Sequence, residues 1–90
     1  FYLYQNHPNP FNPITQINYQ LSKNSHIKIE VYDVMGKLVK TLVNEFQSSG
    51  FRSIKWNGEN FKNQKVSSGL YFYSLQSELF KTTKKMILLD

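Results

Sequence analysis

Ser67-Ser68-Gly69-Leu70-Tyr71-Phe72-Tyr73-Ser74-Leu75 is the densest run of aromatic and aliphatic bulk in the chain. Successive side chains of a strand point to opposite faces, so Tyr71, Tyr73 and Leu75 share one face and Leu70 and Phe72 the other. A Ser-Ser-Gly turn opens the run, and Gly69 is assigned to backbone geometry, a positive φ that a side chain would strain. A strand apolar on both faces is expected in the middle of a two-layer structure.

The neighbouring segments read as further strands. Beyond a turn at Ser77-Glu78, Phe80–Leu89 places Lys81, Thr83 and Lys85 on one face and Thr82, Lys84, Met86 and Leu88 on the other. Ile87 and Leu89 make its end apolar on both sides, so it is expected to be paired and covered. Upstream, Phe51–Trp56 puts Ile54 and Trp56 on one face. It is followed by a hairpin-type turn signal, Asn57-Gly58-Glu59-Asn60, and a lysine-rich loop anchored by Phe61.

Closer to the start, Ile14–Leu21 alternates with Ile17, Tyr19 and Leu21 inward. His26–Val34 alternates more clearly, with Ile27, Ile29 and Val31 inward. Gly36 supplies the positive φ of a tight turn, and Lys37–Val43 returns. Leu38, Val39, Leu42 and Val43 do not alternate strictly, which leaves helical spacing open, but the β-branched content and the preceding turn favour a strand. Asn44–Gly50 is expected to be a polar loop. Residues 1–13 hold all three prolines in Gln5-Asn6-His7-Pro8-Asn9-Pro10-Phe11-Asn12-Pro13. They predict a stiff, extended lead-in with Phe11 free to dock on the core, while residues 14–90 form the folded body. Short strands, turn signals every 8–12 residues or so and no convincing helix describe an all-β antiparallel sandwich of about seven strands.

Composition bounds the function. Ninety residues suffice for one domain, and 7 Phe, 6 Tyr and 1 Trp supply bulk for a small core. The net charge of +5 comes from ten lysines against one arginine. Lysine without arginine tracks phosphates but reads bases poorly, and Lys28, Lys37, Lys40 and Lys55 fall as on a solvated sheet face, so no nucleic-acid partner is expected. The absence of cysteine leaves the compartment open. No run reaches transmembrane length. The chain lacks an initiator Met and is expected to be part of a longer protein, with any export leader upstream.

The chemistry-bearing residues form no constellation. The six carboxylates are scattered, and His7 and His26 are expected to be exposed rather than to ligate a metal. Asn57-Gly58-Glu59-Asn60 offers calcium a single carboxylate, which favours the turn. Trp56, Tyr71 and Tyr73 are weighed as a sugar-stacking platform, although Trp on an alternating strand of a small sandwich is more often core. Neither catalysis nor a cofactor is expected.

Five motifs, in order, carry a resemblance over nearly all of the chain. Leu3-Tyr4-Gln5-Asn6-His7-Pro8-Asn9-Pro10-Phe11-Asn12-Pro13-Ile14-Thr15 resembles the "YQNYPNPFNPTT" opening of the type A C-terminal sorting domains of the bacterial type IX secretion system. Val31 through Val39 resembles that family's "VYDVLGREV", Gly50 through Gly58 its "GxxxxxWDG", Ser68 through Leu75 its "SGxYFYxL" and Lys84 through Leu89 its "KKMxLL". The chain departs from the pattern at Asp90, where a basic residue is usual, and in lacking a glycine at Ser77-Glu78. The resemblance implies an immunoglobulin-like sandwich following a cargo domain. Such a domain is recognised in the periplasm, taken by an outer-membrane shuttle and translocon to the cell surface or medium, and commonly cleaved by a sortase-like peptidase. Gly69, Tyr71, Lys84, Lys85, Met86, Ile87, Leu88 and Leu89 are the residues expected to be read by the translocon. A lysine-flanked apolar strand can be recognised by main-chain pairing with pockets for alternate side chains; equally, lysines protect an ordinary edge strand. The alternative is an accessory sandwich of an extracellular protein, similar to the flagellar hook-capping protein or to a carbohydrate-binding module.

Overall fold

The computed structural model describes all residues, Phe1–Asp90. Seven strands follow one another without a helix: β1 (Tyr2–Leu3), β2 (Thr15–Leu21), β3 (Ser25–Tyr32), β4 (Leu38–Gln47), β5 (Gly50–Trp56), β6 (Gly69–Gln76) and β7 (Lys81–Leu88). They form a three-stranded sheet in the order β1-β2-β5 and a four-stranded sheet in the order β4-β3-β6-β7, antiparallel throughout. This is the immunoglobulin-like sandwich expected. The inward residues read from β2 and β3 are all buried, and with Trp56, Tyr71, Tyr73, Leu75, Met86 and Leu88 they make one core.

β6 lies between β3 and β7, inside its sheet as its apolar content implies. Tyr71, Tyr73 and Leu75 face the core, but Leu70 and Phe72 face outward and are only half-buried. Both faces are apolar although only one is covered by the second sheet.

Four other expectations are corrected. β4 does not stop at Val43 but runs on to Gln47, with Asn44 and Glu45 paired to Lys28 and Ile27. The missing alternation has a physical cause: the register shifts between Ile29 and Glu30 and again between Val31 and Tyr32, leaving Leu42 and Val39 without direct partners. Each such bulge inverts the in–out pattern downstream of it. Asn57–Asn60 does not close a hairpin, because β5 and β6 belong to different sheets. Instead the chain crosses over, held by Trp56 Nε1 donating to the Glu59 carbonyl at 2.9 Å and by a small loop in which Asn60 Oδ1 accepts from Lys62 N and Gln64 N. Phe61 does not anchor that loop. It is 56% exposed, with the Lys40 ammonium 6.0 Å from its ring centre, and Val66 packs on the core in its place. Finally, the end of β7 is paired but not covered, since Ile87 and Leu89 remain exposed.

The lead-in is packed on the sandwich. Leu3 and Phe11 are buried, and Phe11 packs against Trp56 with ring centres 5.8 Å apart. The segment begins on the three-stranded sheet, where Tyr4 N donates to the Asn18 carbonyl and His7 exchanges backbone bonds with Gln16. It ends on the four-stranded sheet, where Phe11 bridges Leu88 in parallel.

Candidate functional site

β7 is one of the two edge strands of the four-stranded sheet, β4 being the other. Its even-numbered core residues, Met86 and Leu88, lie opposite Tyr71 and Gly69. The backbone of its odd-numbered residues points away from β6, and the lead-in satisfies it almost group by group. Gln5 Nε2 donates to the Lys85 carbonyl at 2.8 Å, and Ile87 N donates to Asn9 Oδ1 at 2.9 Å. Phe11 N donates to the Ile87 carbonyl at 3.0 Å, and Leu89 N to the Phe11 carbonyl at 2.8 Å. Asn12 Nδ2 donates to the Asp90 carbonyl at 2.8 Å. An edge strand presents a row of unpaired donors and acceptors that invites foreign pairing; here half of that row is occupied from within the chain. None of these contacts reaches Lys81 or Thr83.

Tyr73 ties the clasp to the sheet interior. Its hydroxyl donates to the Tyr4 carbonyl at 2.9 Å and accepts from Asn6 N at 2.8 Å. Burial pushes that hydroxyl up to about 12, against the smaller lowering by the Asn6 N–H. The Asn6 side chain donates to Thr15 Oγ1 at 2.9 Å and to the Pro8 carbonyl at 3.2 Å, which fixes the bend of the lead-in.

The residues named from the sequence separate into two groups. Tyr71, Met86 and Leu88 are buried. Tyr71 stands edge-on to Trp56 with centres 5.4 Å apart, and its hydroxyl donates to the Ser67 carbonyl. Gly69, Lys85, Ile87 and Leu89 are exposed, and Lys84 is half-buried. Gly69 has φ +142, the positive value read from its turn. The clasping side chains Gln5, Asn9 and Asn12 were not singled out. Their one sequence signal is the three-residue spacing of Asn6, Asn9 and Asn12 among the prolines, which names no partner strand.

No three His, Asp or Glu side chains converge. His7 and His26 are exposed, and His26 Nε2 lies 2.7 Å from Asn44 Oδ1. A concavity of about 700 Å³ lies beside the β6–β7 turn between Phe1, His26, Phe46, Leu79 and Phe80, with a single carboxylate, Glu78, in its wall. Trp56, Tyr71 and Tyr73 are buried and present no platform to a sugar.

Residues 5–89 match the family model described as the secretion system C-terminal sorting domain. The chain belongs to that family. Domains of this family mark proteins exported by the type IX system to the cell surface or medium. Among solved structures, dimeric latent PorU from Porphyromonas gingivalis is similar at 23% identity and a TM-score of 0.72 over 94% of this chain and 9% of that one. FlgD from P. aeruginosa is similar at 21% identity and a TM-score of 0.65, over 82% of this chain and 57% of that one. PorZ of P. gingivalis, an essential bacterial surface component of the type-IX secretion system, is similar at 18% identity and a TM-score of 0.65, over 99% of this chain and 11% of that one. At these identities the likeness is one of fold. No curated protein matches the chain in sequence. The sorting domain is thus a type IX sorting signal in a sandwich shared with proteins of other roles.

Proposed function

We propose that this sorting domain directs an attached cargo across the outer membrane through the type IX machinery and performs no reaction of its own. The family match from residue 5 to residue 89 carries this reading. On it, a shuttle and translocon read the domain folded, and a sortase-like peptidase is the enzyme that would act on it. The element proposed to be read is the end of β7. Lys84, Lys85, Ile87 and Leu89, with Gly69 beside them, offer side chains to a partner, while Tyr71, Met86 and Leu88 hold the strand in place from the core. Residues 1–13 serve as the lead-in from the cargo and residues 14–90 as the sorting body.

A sufficiency experiment tests this. A reporter with its own inner-membrane leader is fused ahead of the chain and expressed in a bacterium with a working type IX system. The reporter is expected on the cell surface or in the medium, and in the periplasm when the chain is omitted or the translocon is disabled. A reporter that stays periplasmic with the chain attached refutes the proposal.

A further inference from the structure

Leu70 and Phe72 lie on the outer face of the four-stranded sheet, and the register shows what surrounds them. Phe72 is opposite Tyr32 on one side and Lys85 on the other, Tyr32 is opposite Leu38, and Leu70 is opposite Ile87. Residues directly opposite share a face, so Leu38, Tyr32, Phe72, Leu70 and Ile87 form one apolar band across all four strands. Met35, 86% exposed in the β3–β4 turn, extends the same end of the sheet, and Ile87 and Leu38 are 43% and 37% exposed. Scattered apolar residues are normal on a surface, whereas a contiguous band calls for a partner.

The exposed charges at its margin are of one sign, and the carboxylates of Glu30 and Asp33 beside it are half-buried. Lys37 and Lys85 flank the band and are exposed. The two carboxylates nearest in sequence are already engaged within the chain. Glu30 Oε1 accepts from Tyr32 Oη at 2.5 Å and from Gln76 Nε2 at 3.1 Å. Asp33 Oδ1 accepts from Met35 N and Lys37 N, each at 2.9 Å.

We infer that this band docks onto a folded protein of the export machinery, through a surface apolar at its centre and carboxylate-bearing at its rim. The inference rests on the sorting reading above and places recognition on a sheet face assembled from β3, β4, β6 and β7, not on the last strand alone. Apolar centre and charged rim are the usual anatomy of a protein interface, and the exposed lysines select a partner of opposite sign. A membrane surface fits less well, since capture by anionic lipid takes a cluster of roughly 4–8 basic residues, and two flank the band.

The reporter fusion provides the test. Met35→Glu and Ile87→Glu together alter exposed side chains and add repulsion toward a carboxylate rim. Export is expected to fall by about tenfold or more, with the melting midpoint unchanged. Lys37→Glu with Lys85→Glu is expected to lower export in the same direction without touching the apolar centre. Phe51→Glu, on the outer face of the other sheet, is expected to leave export intact. Export of both double variants at the unsubstituted level overturns the inference while leaving the sorting reading standing; failure of the unsubstituted chain to export sinks both. Binding of the unsubstituted chain to phosphatidylethanolamine–phosphatidylglycerol vesicles, lost in Met35→Glu with Ile87→Glu, would overturn the protein partner in favour of a lipid surface.

Discussion

Replacing Tyr73 by phenylalanine removes one oxygen atom and tests how the lead-in is held. The hydroxyl is the partner of two backbone groups, the Asn6 N–H at 2.8 Å and the Tyr4 carbonyl at 2.9 Å. Asn6 is buried, so its N–H is left without a partner and bears the full cost, about 1–3 kcal/mol. Tyr4 is half-exposed and its carbonyl can recover part of its loss from water. Together the variant should lose about 2–4 kcal/mol, a large share of the roughly 5–10 kcal/mol available to a domain of this size. The melting midpoint should fall on the order of 10–25 °C. The pH dependence gives an independent readout. In the folded chain the Tyr73 hydroxyl ionises only near about 12, against 10.0 ordinarily. Between these values the unfolded chain has released the proton that the folded chain keeps. Tyr73 therefore contributes stability that is full below about pH 10 and lost as pH rises toward 12, about 2–3 kcal/mol in all. Tyr19 and Tyr32 are also raised by burial and contribute to the same alkaline loss, so the difference between parent and variant isolates Tyr73. Urea denaturation followed by circular dichroism at pH 8, 10 and 11.5 measures it. The penalty of Tyr73→Phe should shrink as pH rises. A penalty below about 0.5 kcal/mol at pH 8, the size of an ordinary surface change, or one that stays constant with pH, refutes the reasoning.

Trp56→Ala empties a site between Phe11 and Tyr71 and should cost about 3–5 kcal/mol in urea denaturation, as truncating a buried aromatic does; a silent substitution would place the indole outside the core. Gly69→Ala and Gly69→Val should each cost about 1–3 kcal/mol and by similar amounts, because φ is +142 while a Cβ there meets nothing within 4 Å; a valine penalty far above the alanine one would mean crowding. Asn9→Ala should leave global stability within about 1 kcal/mol but release the Ile87 amide. Hydrogen exchange should then speed up at Ile87 and stay slow at Leu89, whose acceptor is the Phe11 backbone.

The positions of the strands were legible wherever one face is buried, because burial writes a period of two into the sequence. Ile27, Ile29 and Val31 announce β3 without ambiguity, and Ile17, Tyr19 and Leu21 announce β2. β4 was not legible past Val43, since two bulges scramble its alternation and its last residues, Asn44–Gln47, are mostly polar in an edge strand exposed along one side. β1 was missed because a two-residue strand has no period to read. Of the candidate site, the apolar run Met86–Leu89 could be seen, but its division into buried and exposed halves depends on which face meets the other sheet. The clasp on its outer edge joins residues some 78 positions apart. Nothing local in either segment specifies that pairing.

That division bears on why a sorting signal should be a domain at all. Read as a linear tail, Lys84–Leu89 would offer six side chains in sequence. In the folded chain Met86 and Leu88 are spent on the core, and Gln5, Asn9 and Phe11 already occupy the outer backbone of Lys85, Ile87 and Leu89. Main-chain pairing is therefore closed to a reader along this half of β7 unless the lead-in leaves, and leaving would break the Phe11–Trp56 contact and strip Tyr73 of both its partners. What stays available is side-chain recognition of alternate residues, Lys85 and Ile87, beside Phe72 and Leu70 from the neighbouring strand. Those neighbours are contiguous only once β6 and β7 are in register. On the reading proposed above, such a surface lets a reader distinguish a folded sorting domain from an unfolded one, because the unfolded chain carries the same residues but not the band they form.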